Sequence, residues 1–312
     1  MRRKSLILWI LLPALLLAAC QSGDASGTAQ PDNSGLIKVV ATTGIVGDVV
    51  SQIGGEYTDL QVLLPSGTDP HNYSPTPQDA VMLSEAQVIF ANGAGLETFL
   101  QSLVENAGAS GRLVEVSDGI QLLEAADEGG HTGEDSHTGD PHTWVDPNNV
   151  MIWVDNIEQA LSEADPTHST NYQTNADAYR AQLTELDAWI REQVAAVPEE
   201  NRSIVTDHME QGYFADEYGF TLIGALIPGY STLSEPSAKD LAQIEDSIRE
   251  LGVKAVFVGN TINPTLAERV AGDTGTQLVH IYSGSLGPAG GEASTYLDYM
   301  RYNVNAIVGA LK

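Results

Sequence analysis

The sequence predicts an α/β protein of two lobes, each with a mostly parallel four-stranded sheet flanked by helices, joined by one long rigid interlobe helix. Three observations carry this. Short apolar runs alternate with helical spacings in both halves of the chain, the rhythm of parallel sheets. One apolar stripe at helical steps, over 20 residues long, separates the halves. At about 150 residues per domain, the 312-residue chain suggests two domains.

In chain order, Ile37–Ala41 reads as a strand, followed by helical spacing through Ile45, Val49 and Ile53 that Gly54-Gly55 stops. Asp59–Leu64, Val88–Ala91 and Leu113–Val116 are the next strands, and Thr76-Pro77 reads as an N-cap with Pro at the first helical position. Tyr172, Ala176, Tyr179, Leu183, Leu186, Ile190 and Val194 form the long stripe, and Pro198 ends it. Ser203–Thr206, Phe220–Gly224, Ala255–Val258 and Leu278–Ile281 are the strands of the second half. Ser237 with Asp240 forms a capping box, Asn263-Pro264 opens another helix, and Tyr296–Leu311 is the last. The resulting division is 1–20 signal, 21–36 tether, 37–165 first lobe, 166–198 interlobe helix and 199–312 second lobe.

Residues 1–20 read as an export signal: Arg2, Arg3 and Lys4 precede the apolar Leu6–Leu17. That stretch is too short to span a bilayer comfortably. Leu17-Ala18-Ala19-Cys20 resembles a bacterial lipobox, and Cys20 is the only cysteine. The expected product is lipidated on Cys20, anchored to the cell membrane on its extracytoplasmic side and held on a polar tether.

Composition narrows the chemistry. Hydrophobic residues make up 42% and charged residues 18%, which is globular composition. A formal net charge of −28 repels phosphate backbones, so nucleic-acid binding is excluded as a leading reading. One cysteine excludes a disulfide framework and any zinc site built on two or more cysteines.

Three of the seven histidines sit where chemistry could gather. His71 lies in Asp69-Pro70-His71-Asn72-Tyr73 and His142 in Asp140-Pro141-His142-Thr143-Trp144. His208 follows a strand, in Asp207-His208-Met209-Glu210. Loops at the carboxyl ends of strands line the ligand crevice of open α/β sheets, so the three could meet there. Their spacing alone is not a metal signature. His168 and His280 read as structural.

From about Ile37 to the C-terminus, the order of motifs resembles the solute-binding lipoproteins of bacterial zinc/manganese ABC importers. The segments that carry the likeness are Asp69–Pro77, Asp140–Asn149, Val205–His208 running to Gly212-Tyr213-Phe214, Glu235-Pro236-Ser237, Val256–Val258 and Tyr296–Asn303. The resemblance implies two α/β lobes bridged by a long helix, with metal held between them by His71, His142 and His208. It also implies a partner permease in the cytoplasmic membrane, a monomeric protein and no catalysis. Many relatives carry a fourth ligand, Asp, in a Tyr-x-Asp-Ser segment. Here that segment is Tyr282-Ser283-Gly284-Ser285, and a glutamate common after Val258 is replaced by Gly259. Water, Glu210, Glu292 or a loop histidine must complete the sphere.

Three neutral imidazoles suit Zn2+, with Mn2+ (or iron) in the same role as the alternative, because manganese prefers more oxygen ligands. The acidic segment 124–140, with His131 and His137, reads either as a weak metal collector or as a solvated loop. A zinc-dependent hydrolase is the competing class, with Glu210 as general base, but the chain has no His-Glu-x-x-His and no Gly-x-Ser-x-Gly. Surface adhesion is sometimes attached to such lipoproteins, and no feature of this sequence argues for it independently.

Overall fold

The computed structural model describes residues 35–124 and 139–312. The export signal, Cys20, nearly all of the tether, His131 and His137 lie outside the described residues. Among the described residues, no helix is long and apolar enough to cross a membrane.

Two four-stranded sheets form the frame. In the first, β1 (Ile37–Ala41), β2 (Thr58–Val62), β3 (Val88–Ala91) and β4 (Leu113–Glu115) lie in the order β2-β1-β3-β4. In the second, β5 (Ser203–Thr206), β6 (Thr221–Ala225), β7 (Ala255–Gly259) and β8 (Gln277–Ile281) repeat that order as β6-β5-β7-β8. Every neighbouring pair is parallel, so all strands of one sheet end at the same edge. The eight strands fall where the apolar runs place them, with boundaries moved by a residue or two.

The helices are α1 (Gly44–Gly54), α2 (Pro77–Glu85), α3 (Leu100–Asn106), α4 (Pro147–Ala164), α5 (Ser169–Val194), α6 (Gly212–Tyr218), α7 (Ala238–Leu251), α8 (Thr265–Thr274) and α9 (Tyr296–Leu311). Helix α5 is the long connector, 26 residues, or about 39 Å at 1.5 Å per residue. All seven residues of its apolar stripe are buried, and α4 lies along it. Capping sets the helix starts as the sequence implies. Thr76 and Ser237 each form a capping box, with Asp79 and Asp240. Asp146 caps α4 by accepting from the Asn148 N–H at 2.9 Å. Burial, with Glu217 and Asp187 nearby, pushes the Asp146 carboxyl up to about 6.

The connector is not the only element that ties the two halves together. Helix α9 also returns to the first half, packing on α5 and α1, and the Tyr296 N–H donates to Asp48 at 2.8 Å. Its buried face (Tyr296, Tyr299, Met300, Val304, Ile307, Val308, Leu311) belongs to the same apolar cluster as Val39, Phe90, the α5 stripe and Phe257. One core therefore runs from the first sheet through α5 to the second, and residues Gly35–Lys312 form one compact unit.

Candidate metal centre

Three loops at the carboxyl-terminal edges of the strands bring the site together. His71 sits in a 3-10 turn (Pro70–Asn72) after β2, and the Asp69 side chain caps that turn by accepting from the His71 N–H at 2.9 Å. His142 opens a second 3-10 turn (Thr143–Val145), and Asp140 accepts from its N–H at 2.9 Å. His208 lies two residues beyond β5, and Asp207 accepts from its N–H at 2.7 Å. Each histidine thus has an aspartate one or two residues ahead that fixes its backbone. Two of these aspartates also hold the ring: Asp140 Oδ1 is 2.7 Å from His142 Nδ1, and Asp207 Oδ1 is 2.5 Å from His208 Nδ1.

An ionised carboxylate only accepts hydrogen bonds, so those contacts keep a proton on each Nδ1 and turn Nε2 inward. The result is a tight cluster. His142 Nε2 lies 3.2 Å from His71 Nε2 and 3.2 Å from His208 Nε2. The three residues are 5%, 1% and 2% exposed in chain order. Ring nitrogens this close set lone pair against lone pair unless a proton or a cation sits among them. Bonds of about 2.1 Å to one ion place neighbouring ligand atoms roughly 3.0–3.4 Å apart in octahedral or tetrahedral geometry. The observed spacing fits a small dication of either preference.

Electrostatics agree with the geometry. Burial lowers the His208 pKa, but the carboxylates of Glu210, Asp207 and Asp69 outweigh it and push it up to about 9. A proton on His208 Nε2 then donates to His142 Nε2. Glu210 is pushed upward in turn, chiefly by burial, against the attraction of His208. Its Oε2 lies 3.9 Å from His208 Nε2. The carboxylates of Asp69, Asp140 and Asp207 behind the rings suit the centre to a cation.

The second half of the chain braces this centre. Trp144 stands edge-on to the His142 ring at 5.3 Å, and its indole N–H donates to the Tyr299 hydroxyl on α9 at 3.1 Å. The Tyr296 hydroxyl donates to the Trp144 carbonyl at 2.8 Å. Tyr213 of α6 donates to the Asp140 carbonyl at 2.7 Å. The Gly67 N–H donates to Ser285 Oγ at 2.8 Å.

Other sequence candidates fall elsewhere. Glu292 is exposed on the segment before α9, lining a surface hollow with Asp298, Arg301 and Tyr302. A carboxylate left in solvent there is not brought to the histidines. His168 stacks on Tyr57 at 4.5 Å and pairs with Asp165. His280 is exposed on β8. What sequence reading missed is the role of Asp69, Asp140 and Asp207, although the repeated Asp-Pro-His carried the signal.

Two parallel sheets thus gather three inward-facing imidazole nitrogens at their strand ends, a group that could hold a metal ion. The chain belongs to the ZnuA family, described as the periplasmic zinc-uptake complex component A, which it matches over residues 39–310. It is the solute-binding component of a metal ABC importer, with a membrane permease as partner, and not an enzyme. It is 38% identical to the manganese-binding lipoprotein MntA of Halalkalibacterium halodurans, over 97% of this chain and 96% of that protein. It is 32% identical to the manganese ABC transporter substrate-binding lipoprotein PsaA of Streptococcus pneumoniae, over 100% of this chain and 99% of that one. Among solved structures, the periplasmic zinc-binding protein TroA of Treponema pallidum superimposes with a TM-score of 0.79 at 29% identity, covering 89% of this chain and 99% of TroA. A manganese-bound periplasmic metal-binding protein of Candidatus Liberibacter asiaticus gives 0.77 at 27% identity, covering 88% of this chain and 100% of that one.

Proposed function

We propose that this chain captures a divalent transition-metal ion outside the cytoplasmic membrane through His71, His142 and His208 and delivers it to its permease, as a monomer anchored by lipid on Cys20. The observation that carries the reading is the convergence of three buried Nε2 atoms, with 3.2 Å contacts, on a centre ringed by carboxylates. Two lobes that share one core cannot swing apart freely, so release uses local movement of the loops over the site.

Manganese is the proposed cargo, because lipoproteins named for manganese resemble the chain over nearly its whole length. Zinc is the second reading, favoured by the three imidazoles of the donor set and by the TroA likeness. Zinc also stands above manganese in the affinity series, so it should bind the isolated protein at least as tightly whichever ion is carried. Affinity alone therefore does not name the cargo.

Two measurements test this. Competitive titration of the metal-stripped full chain should show one ion bound per chain for either metal, and failure to bind both would end the reading. Uptake of radiolabelled manganese should fall in cells lacking the gene while zinc uptake persists. The reverse pattern would make zinc the cargo.

A further inference from the structure

Glu210 is the feature of this site that the histidines leave unexplained. It is 1% exposed, neither carboxylate oxygen meets hydrogen-bond geometry with a neighbour, and it pairs with His208 Nε2 across 3.9 Å. A carboxylate this deeply buried is costly with so long a contact, and such groups are found closely paired or on metals. Its loop is not slack. The Thr206 hydroxyl donates to the His208 carbonyl at 2.6 Å, the Met209 N–H to the Gly229 carbonyl at 3.0 Å and the Glu210 N–H to the His208 carbonyl at 2.8 Å. The backbone from 206 to 210 is thereby folded back so that Glu210 faces the ring it follows, with ligand atoms of Asp207, His208 and Glu210 all within 4.8 Å of one another.

Neither Gly259 nor Gly284 has room for a competing donor. A Cβ on Gly284 would lie 2.7 Å from the Pro70 ring, and one on Gly259 would lie 2.1 Å from Ser283 Oγ. Pro70, next to His71, occupies the space that a side chain at 284 would need.

We propose that Glu210 is a metal ligand, the carboxylate that completes the coordination begun by His71, His142 and His208 and tilts the site toward manganese. This rests on the reading of the histidine cluster as the cargo site. A carboxylate can give one oxygen or two, so three imidazoles plus Glu210 supply four or five donors, and the added oxygen favours manganese more than zinc.

The test compares the full chain with Glu210→Gln and His142→Ala, each stripped of metal and titrated separately with Mn2+ and Zn2+. Loss of an outer-shell partner typically weakens metal binding 10–100-fold, so loss of a direct ligand should weaken Mn2+ binding by at least about 100-fold in Glu210→Gln. Zn2+, held by three imidazoles, should weaken by roughly 10-fold or less. The metal-free Glu210→Gln protein should melt at or above the parent temperature, which separates lost ligation from lost folding. Unchanged binding of both ions in Glu210→Gln, with binding lost in His142→Ala, would overturn the proposal and leave the cargo site standing. Equal losses of both ions would overturn its role in metal preference. Unchanged binding in His142→Ala as well would overturn the cargo site itself.

Discussion

The Thr232 hydroxyl donates to the Asp69 carboxylate at 2.5 Å, so one aspartate both fixes the His71 backbone and fastens the loop after β6 to the loop that carries His71. Tyr230 of that loop packs near the His142 ring and its hydroxyl donates to the Glu124 carbonyl at 3.0 Å. The latch joins loops of the two halves through two side-chain hydroxyls.

Removing the latch should speed release more than it weakens binding. A hydrogen bond to a charged group contributes about 1.5–3 kcal/mol, so Thr232→Val should raise the dissociation rate by about 10-fold. Stopped-flow transfer of the ion to a chelator measures it, and an unchanged rate would show that this loop does not control exit.

The carboxylates behind the rings should matter nearly as much as the rings. Asp207→Asn removes the ionised partner of His208 Nδ1 and should cost about 10–100-fold in metal affinity. His208→Ala should cost more, and His131→Ala far less. Equal effects at 208 and 131 in a metal titration would mean that the cargo binds elsewhere.

Proton release should accompany loading. His208, with its pKa pushed up to about 9, carries a proton at pH 7.5 in the metal-free protein, and the ion must displace it. Affinity should therefore climb with pH up to about 9, rather than level off above the ordinary histidine value near 6.5. Calorimetric titration in buffers of different ionisation enthalpy counts the protons, and none released at pH 7.5 would contradict the charged His208.

Away from the site, Asp146 should make the fold more stable in mild acid. Its folded pKa of about 6 lies above the unfolded value of about 3.9, so the folded state binds the proton more tightly. Stability from this group rises as pH falls from about 6 to 4. Asp146→Asn, which keeps a capping side chain, should gain about 1–2 kcal/mol at pH 8 and little at pH 4. Thermal melts at the two pH values check it, and a loss at pH 8 would show that the charge stabilises the helix start.

Much of this architecture is legible in the sequence because it rests on local periodicity. The strands are short apolar runs, and α5 declares itself through seven residues at steps of three and four, all buried. His71, His142 and His208 stand out through their Asp-rich neighbourhoods and the family likeness. What is not legible depends on distance in space. Glu210 and Glu292 look equally eligible in the sequence, yet one is sealed beside His208 and the other faces solvent. The return of α9 to α1 is equally hidden, since nothing near Tyr296 points to Asp48, 248 residues away. Asp140 and Asp207 are visible as letters, and only the folded structure shows that they hold the His142 and His208 rings.

The single core that threads both sheets through α5 and α9 also bears on how the molecule comes apart. Neither half keeps a complete apolar interior without the helices it shares with the other. Denaturation should therefore be one all-or-none event in which both sheets disappear together. An ion bound at the three histidines should then protect the whole molecule at once, and the loaded protein should offer proteases fewer partly opened forms than the empty one.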